Sequence, residues 1–282
     1  MTSLSLGATQ GVTAQHRPTP RSCPADPALS KLVAASDDVV VGTMIFAADE
    51  LGRQAALPSP NYIDIAVTID RAVKGTMSGQ AVIRFYAKDA IYKPGNAAMA
   101  ALAGKPALFF LQQVDGAERG LYFAGNTPRA LQPASSDNIA LAEAEASRQS
   151  GILNGWRPDP NLPHYREVQE IIAHLGHVRG RAQQALFDRV IALGDSAVPA
   201  IVAQMDDRRR LLDQQITLKN TAGDAFEPQR FYGPEQVVDA LDAILNQITG
   251  ESFGSIENGG SNRERTSAVA GWRVYAATRR CM

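Results

Sequence analysis

Three potential metal ligands fall on one stretch of chain, with His174 and His177 at i and i+3 and Glu170 one helical turn earlier. Two imidazoles and a carboxylate on one side of a helix could converge on a zinc-like ion. Gly176, however, is expected to end the helix between the two histidines, and neither an H-E-x-x-H spacing nor a further carboxylate cluster follows. The expected state is a solvated helix end, where a histidine also suits the helix dipole, and no metal. His164, His174, His177 and scattered carboxylates supply the residue types of a hydrolase, but nothing in their spacing joins them into a mechanism. Ser196, in Gly194-Asp195-Ser196-Ala197-Val198, lacks the second glycine of a G-x-S-x-G elbow and reads as a helix cap. Gly104-Lys105-Pro106 lacks the glycine spacing and the Ser/Thr of a phosphate loop. Arg208-Arg209-Arg210, following Asp206-Asp207, reads as a solvated, self-paired corner. No acid/base pair or cofactor fingerprint stands at useful spacing, so no catalytic residue and no cofactor is expected.

Cys23 and Cys281 are too few for a disulfide scaffold or a Cys-rich zinc site. Two readings stay open for them: two free thiols, or a bond closing nearly the whole chain. In the chain-entropy model such a bond would stabilise by roughly 4 to 5 kcal/mol.

The elements that must position these residues are bounded by composition. At roughly 150 residues per domain, 282 residues suggest about two compact units. With 45% hydrophobic and 20% charged residues, there is ample material for a core. Lys+Arg and Asp+Glu balance at 13 and 13 in residues 1–150 and at 15 and 16 in residues 151–282. Neither half is basic enough to track a phosphate backbone or an anionic membrane, which excludes nucleic acid as an expected partner. No run approaches the ~20 apolar residues of a membrane-spanning helix. Residues 1–23 read as a leader, rich in small residues and running into Pro18, Pro20 and Pro24. Val12-Thr13-Ala14 fits a small-x-small cleavage site, though a basic start and a full apolar stretch are missing. A truncated signal peptide and a disordered cytosolic tail are the two readings.

Residues 24–135 carry strand signals. In Asn61-Tyr62-Ile63-Asp64-Ile65-Ala66-Val67-Thr68-Ile69-Asp70, apolar and polar residues alternate with period two, one face buried and one wet. Four further runs surround it, at 38–46, 81–87, 107–114 and 121–125, with Lys74-Gly75 and Pro94-Gly95 as turn dipeptides. Five strands in about ninety residues, with Gly42 inside the first, suit a small closed barrel of the OB type. The order of Cys23, a short helix over Pro27 to Ala35, DDVVVGTM, a strand ending RAVKG, and GKPALFFLQ resembles bacterial relatives of the netrin and TIMP-like OB-folds. That resemblance, over residues 21–125, implies a secreted binding barrel. The single Cys23 replaces the group's Cys-x-Cys pair, so inhibition by chelating a protease metal is not implied.

After residues 136–162, expected to be a helix-prone and Pro-rich linker, the period becomes 3.6. Val168, Ile171, Ile172 and Leu175 form one stripe, and Leu186, Phe187, Val190 and Leu193 a second. A third helix is expected over AVPAIVAQM, capped by Asp195-Ser196. LFDRVIALGDSAVPAIVAQMDD resembles a HEAT-like repeat over residues 181–207, which implies helices stacked into a recognition surface. A polar connection (207–230) leads to a helix opened by Gly233-Pro234, and an S-x-x-E capping box at Ser261 and Glu264 starts the last one.

The fold expectation is therefore α+β in two domains: a five-stranded OB-like barrel (24–135) and an all-α HEAT-like domain (163–282). The functional expectation is a non-enzymatic protein-binding or scaffold protein of the bacterial periplasm or envelope, including an inhibitor or immunity-type partner. The alternatives are an envelope hydrolase with its site between the domains and a purely structural module.

Overall fold

The strand with the strict alternation, Tyr62–Lys74 (β2), buries Ile63, Ile65, Val67 and Ile69 and exposes Asp64 and Asp70. The structure is a computed structural model, described here over residues 23–45, 62–86, 93–116, 119–220 and 227–281. The expected leader lies outside the described residues up to position 22. The other barrel strands are Asp38–Met44 (β1), Gly79–Tyr86 (β3), Pro106–Val114 (β4) and Gly120–Phe123 (β5). β1 pairs antiparallel with both β2 and β4, β2 with β3 and β4 with β5; β3 and β5 run parallel, and the ring of five closes. Leu131–Pro133 (β6) adds to β4 beside β5. The register of β1 on β2 shifts between Val41 and Gly42, and a Cβ at Gly42 would sit 2.5 Å from the Thr68 carbonyl oxygen. Glycine lets the strand bend sharply there, as a closed barrel demands.

β1 and β4 do not alternate, and the reason is burial on both faces. Val40, Ala107, Phe109 and Leu111 point into the barrel. Val39, Val41, Leu108 and Phe110 point outward, into a second core with Leu29, Leu32 and Val33 of the helix Pro27–Ala35 (α1) and Ala142 of the helix Ser136–Asn154 (α3). α1 starts on Asp26, whose carboxylate accepts from the Leu29 amide (3.0 Å) and from Arg129 (2.6 Å); these contacts hold its pKa down at about 2. Its last turn is closed by Lys74 of β2, which donates to the carbonyls of Val33 (2.7 Å) and Ser36 (2.5 Å). A short helix between β3 and β4, Asn96–Leu102 (α2), sends Met99 into the barrel core.

The segment expected to be a linker is mostly α3, packed against α1 and β2. Its inward face sets Glu145 and Gln149 beside Ala142, which breaks the apolar stripe and is why it read as a connection. Gln149 donates to the Ser30 carbonyl (2.8 Å), and Glu145, 7% exposed, accepts from Arg148 (2.6 Å) and Gln149 (2.7 Å).

The C-terminal helices are Tyr165–His174 (α4), Gly180–Ala192 (α5), Val198–Val202 (α6), Val237–Thr249 (α7) and Asn262–Thr278 (α8). Their stripes, among them Val168, Ile171, Phe187, Ile201, Leu241, Ile244 and Trp272, share one core. Three expectations are corrected. The third helix is short: Asp195–Ala197 is a 3₁₀ turn, and beyond Val202 the amides of Gln204 and Met205 bond three residues back, to Ile201 and Val202. The polar connection holds a hairpin, Ile216–Lys219 (β7) with Gln229–Tyr232 (β8), whose Ile216 and Leu218 are buried on the helices. α7 starts at Val237 rather than Pro234, because the Asp239 carboxylate reaches back to accept from the amides of Glu235 and Gln236. Ser261 and Glu264 cap α8 reciprocally, each side chain accepting from the other's amide.

α8 packs on α1 and α3, and its first turn is tied to the barrel. Arg263 bonds Asp37 (3.0 Å), Asp115 (3.2 Å) and the Gln113 carbonyl (2.7 Å), while Ser261 donates to Asp115 (2.6 Å) and Ser267 to Asp37 (2.6 Å). Cys23 and Cys281 are joined in a disulfide, with Cα atoms 5.5 Å apart and a sequence separation of 258. Among the described residues no helix is long and apolar enough to cross a membrane.

Candidate functional site

The wet face of β2 and β3 brings together Tyr62, Asp64 and Arg84. Cross-strand register sets Asp64 opposite Arg84 and Ala66 opposite Val82, and the parallel neighbour β5 sets Tyr122 beside Arg84. Arg84 grips Asp64 with both ends of its fork (Nε–Oδ1 2.7 Å, Nη2–Oδ2 2.9 Å) and lies over the Tyr62 ring, 5.9 Å from its centre. The Tyr62 and Tyr122 rings meet edge to face at 6.4 Å. The Arg84 fork holds the Asp64 carboxyl below its usual range. Val82, one pair further along the same face, is 56% exposed. Arg84 and Tyr122 also border a hollow of about 260 Å³ with Phe85, Phe123, Lys93 and Pro94. Tyr62 and Tyr122 border a wider one, about 880 Å³, whose far wall carries Glu235, Asn258 and Glu264. The face thus combines aromatic edges, an exposed valine and a largely apolar hollow bordered by Arg84 and Lys93.

The residues singled out from sequence lie elsewhere. Glu170, His174 and His177 are all exposed; α4 ends at His174, whose Nδ1 lies 2.7 Å from the Glu170 carbonyl oxygen. Among the described residues no three His, Cys, Asp or Glu side chains are grouped to hold a metal ion. Arg209 of the arginine run does pair with Asp207 (2.6 Å). It also donates to the Ile172 and Ala173 carbonyls, so it closes the end of α4 rather than facing only solvent. Arg208 is partly buried, and that burial lowers its pKa.

One grouping escaped sequence reading. Ser196 Oγ lies 3.2 Å from His164 Nε2, and His164 Nδ1 lies 3.3 Å from Glu167 Oε2. His164 is the one described non-glycine residue with positive φ (61°), a left-handed conformation that costs energy. Ser196 comes from the 3₁₀ turn before α6, 32 residues along the chain, and Asp195 beside it is gripped by Arg279. All three side chains are exposed and belong to the C-terminal helical half, not to a cleft between barrel and helices. No periodic pattern could have disclosed this pairing, because both partners sit in irregular turns.

No family model, curated protein or solved structure matches the chain.

Proposed function

We propose that the protein is a non-enzymatic binding or scaffold module of the bacterial periplasm or envelope, in the manner of an inhibitor or immunity partner. In this reading its closed barrel is of the OB type, joined to a HEAT-like helical domain. The strand order, with β1 shared between β2 and β4, β3 parallel to β5 and a helix between β3 and β4, supports the OB-like assignment. The disulfide supports an oxidising compartment. The observation that carries the reading is the Tyr62–Arg84–Tyr122 cluster beside exposed Val82. Because fold alone does not define function, the test addresses the surface. A photo-crosslinking residue at Val82, with a second at exposed Arg181 as control, should yield one dominant protein adduct at Val82 only, lost when Arg84→Glu is added. The same set of adducts at both positions would sink the reading.

A second reading, hydrolysis, is favoured by the Ser196–His164–Glu167 arrangement, in which a hydroxyl, an imidazole and a carboxylate stand in the order of a nucleophilic triad. Incubation with a fluorophosphonate should then add one phosphonyl group to Ser196, and His164→Ala should abolish the labelling. An unmodified Ser196 peptide after prolonged exposure would dispose of it.

A further inference from the structure

Within the C-terminal half lies a polar cavity of about 220 Å³ between β8, α7 and the segment that follows α7. Its walls include Arg230, Tyr232, Asp242, Asn246, Ser252 and Glu257. Asp242 is 3% exposed, and one of its carboxylate oxygens accepts from the Trp272 indole (2.6 Å). Arg230 donates to the side-chain carbonyls of Asn246 (3.3 Å) and Gln247 (2.6 Å) and stacks on Tyr232 at 5.7 Å. Its Nε is buried with no partner. Burial raises the Glu257 carboxyl pKa, and Arg230 counters this in part.

A buried carboxylate and a guanidinium share the walls of this one cavity, and charged groups so placed are costly to bury unless they are paired. The space would take roughly seven waters at their liquid volume. A bare metal ion would meet the charge of Arg230, and a plain anion would meet Asp242 and Glu257. A molecule carrying both signs satisfies both walls. We propose that this cavity binds a small zwitterion of the α-amino acid type, its ammonium on Asp242 and Glu257 and its carboxylate on Arg230. The ligand would be small in side chain, because Tyr232 and α7 limit the room. This inference does not depend on the function of the barrel face.

The test is thermal unfolding of the full, oxidised chain at pH 8, where Asp242 is ionised, titrated with L-alanine and, separately, with ethylammonium, propionate and glycerol. L-Alanine should raise Tm saturably, with at least about tenfold higher affinity than either half-molecule. Glu257→Gln and Arg230→Met should each weaken that response by about tenfold or more. Asp242→Asn, which keeps an acceptor for Trp272, should do the same; Glu257→Gln decides the matter if that variant fails to fold. Absence of a saturable shift with L-alanine means that the cavity holds water only and overturns the proposal. So does an equal response to ethylammonium, propionate or glycerol, or a response unchanged in Glu257→Gln and Arg230→Met.

Discussion

Inside the barrel Val67, Ile83, Phe109 and Leu111 are sealed, and among the described residues no buried polar or charged side chain comes from its five strands. Between α7 and α8, by contrast, Asp239, Asp242 and Arg265 are all at least 96% covered. Asp239 accepts from the amides of Glu235 and Gln236 and from both ends of the Arg265 fork (2.7 and 2.9 Å). The barrel strands are held in register by their backbone ladders, so their core needs only apolar fit. Two helices have no ladder between them and can slide, and a directional pair such as Asp239–Arg265 fixes one register at a cost in desolvation.

That contrast can be broken most directly by truncation. Phe109→Ala, which opens a cavity in the barrel, and Asp239→Ala, which strands Arg265, should each cost about 3 to 5 kcal/mol in urea unfolding. They should part in the double variant Asp239→Leu/Arg265→Met, where an apolar pair should recover most of the loss or exceed the parent in stability. If the double variant is as unstable as Asp239→Ala, the ionic pair supplies stability itself and the contrast fails.

Next in size is a pH effect confined to the helical half. Burial, with Glu257 and Asp239 nearby, raises Asp242 from 3.8 to about 7, while the Trp272 bond works the other way. The folded state therefore holds a proton that the unfolded chain releases above pH 4. Stability is complete below that point and falls as pH rises through about 7, by at most about 4 kcal/mol. Asp242→Asn should match the parent near pH 4 and exceed it in Tm at pH 8; parallel Tm curves would refute the assignment. A smaller effect sharpens the position of α3. Ser135→Ala removes the side-chain cap on the Asn138 amide and should cost about 1 kcal/mol, read in the same unfolding assay. No measurable change would mean that tertiary contacts alone hold the start of α3.

The same division decides what could be read from sequence. β2 was legible because water on one face forces alternation. β1 and β4 were legible as strands, yet their second buried face was not, since the helices that cover it begin 11 residues before β1 and 22 after β4. The α3 segment misled because its buried face uses Glu145 and Gln149, and β7–β8 because four-residue strands with polar neighbours carry little pattern. At the candidate site, Tyr62, Arg84 and Tyr122 look like ordinary strand residues until register places them together. Ser196, His164 and Glu167 meet only through the turns before α6 and α4.

The Cys23–Cys281 bond also determines how the molecule would bear a load. Tension applied to the chain on the outer sides of the two cysteines would cross a single sulfur–sulfur link, and neither the barrel ladder nor the helices would feel it. Once that link is reduced, the same tension would enter through α1 and α8. The elements that join barrel to helices would then be the first to part.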